Sequence, residues 1–257
     1  MSKLMHQEEV AAVRRACAVV MRTLDFVTPH IRAGVSTGHI NDLCHQHITE
    51  AEQAVPASLD YKGFPKSICT SINNVICHGI PRDDKILQAG DIVNVDIAVE
   101  KDGYYGDSSR MFCIGKVNPF ARRLVDVTRQ ALYQGIKQVK SGNTLGDVGA
   151  AIQEYAEEAG FSVVYEYCGH GIGKEMHCMP QVLHYGTRGH GEKLTEGMCF
   201  TIEPMINAGS SDTRLLSDNW TVVTKDSKLS AQWEHTLYIN EQGQCEVLTL
   251  APNEIIT

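Results

Sequence analysis

Apolar residues at Val10, Val13, Cys17, Val20, Met21 and Leu24 recur at the three-to-four spacing of a helix with one buried face. Thr37 stands as N-cap of a second helix, whose inner face carries Ile40, Leu43, His47, Ile48 and Ala51. The period then shortens. "SICTSINNVICHG" (67–79) and "DIVNVDIAVEKDGYYGDSSRMFCIG" (91–115) read as strands, the latter folded into a hairpin at Asp102-Gly103. Asn118-Pro119 opens a third helix running to about Val139, Thr144 caps a fourth that stops at Gly160, and strands centred on Val163, Thr201 and Leu237 follow. Helix, helix, strands thus occurs twice.

The repetition extends to residues. "LQAGDIVNVD" (87–96) aligns without a gap on "LTEGMCFTIE" (194–203), sharing a leucine, a glycine and a terminal carboxylate, and "HGIP" (78–81) matches "HCMP" (177–180) in the same order. So long a period predicts two related halves, approximately 1–116 and 117–257, whose matched groups meet at a junction. A chain of 257 residues allows one large domain or two small ones, and without a low-complexity linker the expectation is a single domain, 1–257. Thirty-one acidic against 23 basic residues, net charge −8, with no long basic run, exclude nucleic acid or an anionic membrane as the main partner. Neither a signal peptide nor a membrane span is legible, so a soluble, cytoplasmic protein is expected. The nine scattered cysteines contain no C-x-x-C pair, which predicts reduced thiols and no zinc ribbon.

Candidate chemistry sits on the polar faces of these strands. In "DIVNVDIAVE" the positions Val93, Val95, Ile97 and Val99 form a branched core face, leaving Asn94, Asp96 and Ala98 on the other. A two-residue turn at Asp102-Gly103 pairs Lys101 with Tyr104, Ala98 with Asp107 and Asp96 with Ser109, so Asp107 lies diagonal to Asp96 on one face. Two such carboxylates repel unless a cation neutralises them, and Arg110 has the opposite parity. A divalent metal would serve. Glu203, followed by Pro204 at an irregular strand end, and Glu234 lie in otherwise apolar runs. "GHGIGKEMHCMP" (169–180) fails as a Walker loop, because Lys174 precedes Glu175, and as a dinucleotide fingerprint, because Met176 replaces the third glycine. Its glycines instead leave His170 free to point at a ligand and let backbone approach one closely. Four carboxylates and His170 suit two divalent ions.

Asp96, Asp107, His170 in "GHGIG", Glu203 in "FTIEP" and Glu234 in "WEHT" resemble the five metal ligands of the methionine aminopeptidases, over nearly the whole chain. The short interval from Glu203 to Glu234 leaves no room for the type II insertion, so the resemblance is to type I in its short bacterial form. It implies an α+β pita-bread fold: two pseudo-twofold-related αβ halves around a central antiparallel sheet with helices outside. It implies removal of the initiator methionine from new chains whose second residue is small, by a hydroxide bridging two divalent ions (Co, Mn, Fe, Zn or Ni). Asp107 and Glu234 would bridge the metals, Asp96 would hold one, and His170 with Glu203 the other. Glu203 would also carry a proton to the leaving amine, His177 would donate to the oxyanion and His78 would contact the scissile amide. Tyr61, Phe64, Cys69 and Trp220 would line the methionine pocket, and Met176 departs from the aromatic residue usual before the second histidine. Asn73, Val75 and Ser230 resemble a monovalent-cation loop. Nascent N-termini, at the ribosome, would be the partners, and a monomer is favoured. The rival readings are a proline-specific aminopeptidase of the same fold and a non-catalytic, metal-containing protein that binds partners.

Overall fold

The computed structural model describes residues 4–256. Its first half runs α1 (Gln7–Val27), α2 (Thr37–Gln46), β1 (Val55–Pro56), β2 (Cys69–Ile72), β3 (Val75–Cys77), β4 (Ile92–Lys101) and β5 (Tyr104–Cys113). The second runs α3 (Pro119–Ile136), α4 (Leu145–Glu158), β6 (Ser162–Val163), β7 (Gly169–Gly171), β8 (Cys178–Val182), β9 (Cys199–Ile202), β10 (Met205–Asn207), β11 (Thr213–Leu215), β12 (Val222–Thr224), β13 (Ser230–Gln232), β14 (His235–Ile239) and β15 (Cys245–Val247).

Strand neighbours repeat as the sequence match predicts. The central β4 pairs with β5 on one side and β2 on the other, and β9 pairs likewise with β14 and β7, all antiparallel. The hairpin register is the expected one: Lys101 faces Tyr104, Ala98 faces Asp107 and Asp96 faces Ser109. Helices cover one face. Val93, Val95, Ile97 and Val99 are fully buried beneath α1 and α2, each contributing about 1.5–3 kcal/mol of burial free energy, while α3 and α4 seal the second half against Phe200, Ile202 and Ile206. At Gly106 of β5 an added Cβ would lie 2.5 Å from the Cys17 nitrogen, so glycine there lets α1 press onto the sheet.

Most helix ends fall where polar residues place them. Asn118 accepts from the Phe120 N–H, and Thr144 with Asp147 forms a reciprocal capping box. Three expectations need correction. Ser36, not Thr37, caps α2, since its hydroxyl accepts from the His39 N–H while the Thr37 hydroxyl is engaged with the backbone of Arg82. The turn His47–Ala51 widens to a π-helix, which rotates Ala51 out to solvent. Helix α3 ends at Ile136, short of Val139. All nine cysteines are free thiols, and among the described residues no helix is long and apolar enough to cross a membrane.

Candidate metal centre

The two halves clasp where the carboxylates lie. On β5 the Asp107 N–H donates to the Thr236 hydroxyl (3.3 Å), which in turn donates to the Asp107 carbonyl (2.7 Å), and the Ser108 hydroxyl donates to the Glu234 carbonyl (2.6 Å). Opposite, β9 and β10 run antiparallel to β14 and β13 in one continuous register, with Ile202 facing His235 and Met205 facing Gln232. Between those pairs the ladder breaks, at Glu203-Pro204 on one strand and Trp233-Glu234 on the other. Proline cannot donate to a ladder, and the break releases both glutamates from strand geometry.

The five expected ligands converge there. Asp107, His170 and Glu234 are buried and bring one ligand atom each to within 4.8 Å of one another. The His170 Nε2 lies 3.5 Å from Glu203 and 3.8 Å from Asp107, and Asp96 shares a hydrogen bond with Asp107. The His170 Nδ1 is 3.1 Å from the Gly171 carbonyl, to which it donates, so the Nε2 lone pair faces the acids. Burial drops the His170 pKa to about 4, which keeps the ring neutral and able to bind a metal.

Burial has the opposite effect on the acids. It raises Asp96 to about 7 and, with repulsion from Asp96, Glu203 to about 8; Asp107 and Glu234 are also pushed well up, first by burial and then by a neighbouring acid, Asp96 beside Asp107 and Asp107 beside Glu234. No lysine or arginine forms an ion pair with any of the four among the described residues, and the Asp107 Oδ1 is buried without a hydrogen-bond partner. Hard oxygen donors that must ionise together, with one neutral imidazole, fit a divalent cation.

The cluster opens on a cavity of about 320 Å³ whose wall includes Asp96, Asp107, Tyr61, Phe64, Cys69, His78, His177 and Trp220. His177 lies 4.1 Å from His170 and 5.1 Å from Tyr61, ring centre to ring centre, while the Trp220 ring meets Phe64 and His78 edge-on at 5.1 and 5.9 Å. His78 sits at φ +55°, a left-handed conformation that costs free energy and is retained at functional positions. Burial keeps both flanking histidines neutral, His78 at about 4 and, with His170 and His78 adding repulsion, His177 at about 3. Met176, 6% exposed, completes the wall. Outside the cavity, the Asn73 carbonyl accepts from the Ser230 N–H (2.8 Å), with Val75 at the start of the adjacent β3.

The glycines around His170 need correction. Added Cβ atoms would stand 2.3 Å from the Thr201 oxygen at Gly169 and 2.1 Å from the Met179 oxygen at Gly171, so these glycines admit neighbouring strands, not a peptide. Sequence reasoning also missed the groups that hold Glu203. The Thr201 hydroxyl and the Gln232 amide donate to its carboxylate (2.9 and 3.2 Å), and the buried His184 Nε2 accepts from its N–H (3.1 Å). Thr201 was findable from strand alternation, two residues before Glu203; nothing marks His184 or Gln232.

Acids that can ionise together only around a multivalent cation, at the seam of two related antiparallel halves, make this a metallopeptidase of the pita-bread class. More narrowly, the chain belongs to metallopeptidase family M24, whose model matches residues 11–241. It is 49% identical over 250 residues to the methionine aminopeptidase of Haemophilus influenzae, covering 97% of this chain and 93% of that one. The crystal structure of methionine aminopeptidase from Rickettsia prowazekii superposes with a TM-score of 0.95 at 51% identity, covering 97% of this chain and all of that one. Prolidase from Pyrococcus furiosus, 20% identical, shares the fold at a TM-score of 0.75 over 97% of this chain and 66% of its own.

Proposed function

We propose that the chain is a methionyl aminopeptidase that removes the initiator methionine from new polypeptides when the second residue is small. The observation that carries this reading is a single cavity in which the apolar, aromatic wall of Tyr61, Phe64 and Trp220 meets the carboxylates Asp96 and Asp107. The wall suits an unbranched, polarizable thioether, and Cys69 adds a small apolar surface beside Asp96, its partner in register. Because the ligands come from both halves, residues 1–257 act as one catalytic domain.

In this reading the five residues would hold two divalent ions, Asp107 and Glu234 serving both, Asp96 one, and His170 with Glu203 the other. Bound ions supply Lewis acidity and make water nucleophilic near neutral pH. The protein supplies the rest. Glu203, oriented by Thr201 and Gln232, carries the proton to the leaving amine. His177, neutral and at the cavity wall, donates to the developing oxyanion, and His78 contacts the scissile amide. Asn73, Val75 and Ser230 would hold a monovalent cation behind the site. The protein is taken as a cytoplasmic monomer acting on nascent N-termini at the ribosome.

Metal-stripped protein titrated with manganese or cobalt should release methionine from Met-Ala-Ser and leave Leu-Ala-Ser and Ala-Pro-Ser intact. Faster turnover of the proline peptide would overturn the substrate, and no release with metal bound would favour a partner-binding role.

A further inference from the structure

The turn at the cavity mouth, Asp60 to Phe64, is wound tightly and carries Lys62 between the pocket-lining Tyr61 and Phe64. Asp60, Lys62 and Gly63 all have positive φ, at +62°, +48° and +85°, and the turn is closed by hydrogen bonds from the Asp60 N–H to the Phe64 carbonyl (2.8 Å) and from the Phe64 N–H to the Tyr61 carbonyl (2.9 Å). Two non-glycine residues in the left-handed region are strained, and strain of this kind is kept where it positions a group. The group is Lys62. It is exposed yet belongs to the cavity wall, and its Nζ stands 5.2 Å from the centre of the Tyr61 ring, whose other neighbour, at 5.1 Å, is His177. The aromatic ring thus tethers the ammonium group beside the catalytic end of the cavity.

Among the described residues Lys62 forms no ion pair, and the acid on the same turn, Asp60, is not part of the wall. The other charged residues of the wall, Asp96 and Asp107, are metal ligands in the proposed function, so their charge is taken up by bound cations. A substrate entering amino end first therefore meets one uncompensated positive charge. An extended peptide advances about 3.3 Å per residue, so the side chains passing this mouth are those of the first few residues after the scissile bond.

We propose that Lys62 is a specificity-determining residue, which favours chains with an acidic residue and disfavours those with a basic residue just downstream of the small second residue. The inference rests on the aminopeptidase reading. Two unit charges about 7 Å apart in water interact strongly enough to change association roughly threefold, so peptides of opposite charge should differ about sevenfold. The experiment compares kcat/KM for Met-Ala-Asp-Ala, Met-Ala-Ser-Ala and Met-Ala-Lys-Ala on metal-loaded protein, at low salt and at 0.5 M salt, for the wild type, Lys62→Gln, Lys62→Glu and Lys62→Arg.

The expected result is a wild-type order of Asp above Ser above Lys at low salt, retained by Lys62→Arg. The order should flatten in Lys62→Gln and in high salt, and reverse in Lys62→Glu. Equal rates on the three peptides, or a preference that persists in Lys62→Gln, would overturn the assignment while leaving the aminopeptidase intact. Absence of methionine release from all three would overturn both together.

Discussion

Asp96 and Asp107 are sequence neighbours across a hairpin, but they occupy different places in the cluster. Asp107, Glu234 and His170 bring their ligand atoms within 4.8 Å of one another, whereas Asp96 stands outside that group, hydrogen-bonded to Asp107. If Asp107 and Glu234 bridge two ions, Asp107→Asn and Glu234→Gln should each lose at least about tenfold more kcat/KM than Asp96→Asn when measured on metal-saturated protein. Equal losses would contradict the bridging roles. Glu203 and Glu234 were legible as carboxylates in apolar runs, Asp96 and Asp107 from strand alternation and the hairpin register, and His170 because it stands between two glycines. The residues that orient Glu203 were not. Gln232 and His184 are ordinary residues whose role arises only from which strand end folds beside them.

At the scale of elements, the work of β7 is to hold His170 between β8 and β9 with no room to spare. Gly171 contributes twice: its missing side chain lets the Met179 oxygen approach, and its carbonyl fixes the His170 ring. Gly171→Ala should therefore push β7 from β8 and swing the imidazole away, weakening divalent metal binding by about 10- to 100-fold, as read by titration calorimetry with manganese. Unchanged affinity would sink this account. The reading of these glycines as space for a ligand failed because a chain with no side chain looks the same whether a substrate or a strand lies against it. Alternation and capping were more informative. They placed the β4–β5 register, the Thr144 cap and the buried face of α1, all of which depend on residues close in sequence. The cap of α2 was misplaced by one residue because Arg82, distant in sequence, engages Thr37.

For the whole molecule, the closure of two halves on four acids has a consequence for stability. Asp96 and Glu203 have native pKa values of about 7 and about 8, against about 4 in an unfolded chain. The metal-free native state thus holds more protons than the unfolded state, and this stabilising contribution, complete below about pH 4, is lost as pH rises through about 8. The buried histidines act in the opposite sense, with native values of about 3 to 4, but above about pH 7.5 their unfolded-state protons are nearly all gone and they add little slope. Between about pH 7.5 and 8.5 the melting temperature of metal-stripped protein should fall, and the gain from added manganese should widen, because the ion replaces the protons. A gap that stays constant across this range in thermal melts would refute the linkage. By itself the sequence determined the helices, the hairpin, the duplicated order of elements and which acids stand out as candidate ligands, since periodicity, caps and misplaced charges are local signals. Only the tertiary structure decided how those acids meet, which residues orient them, and that a strained turn sets Lys62 at the mouth, because each of these depends on separations in space between segments that no spacing along the chain encodes.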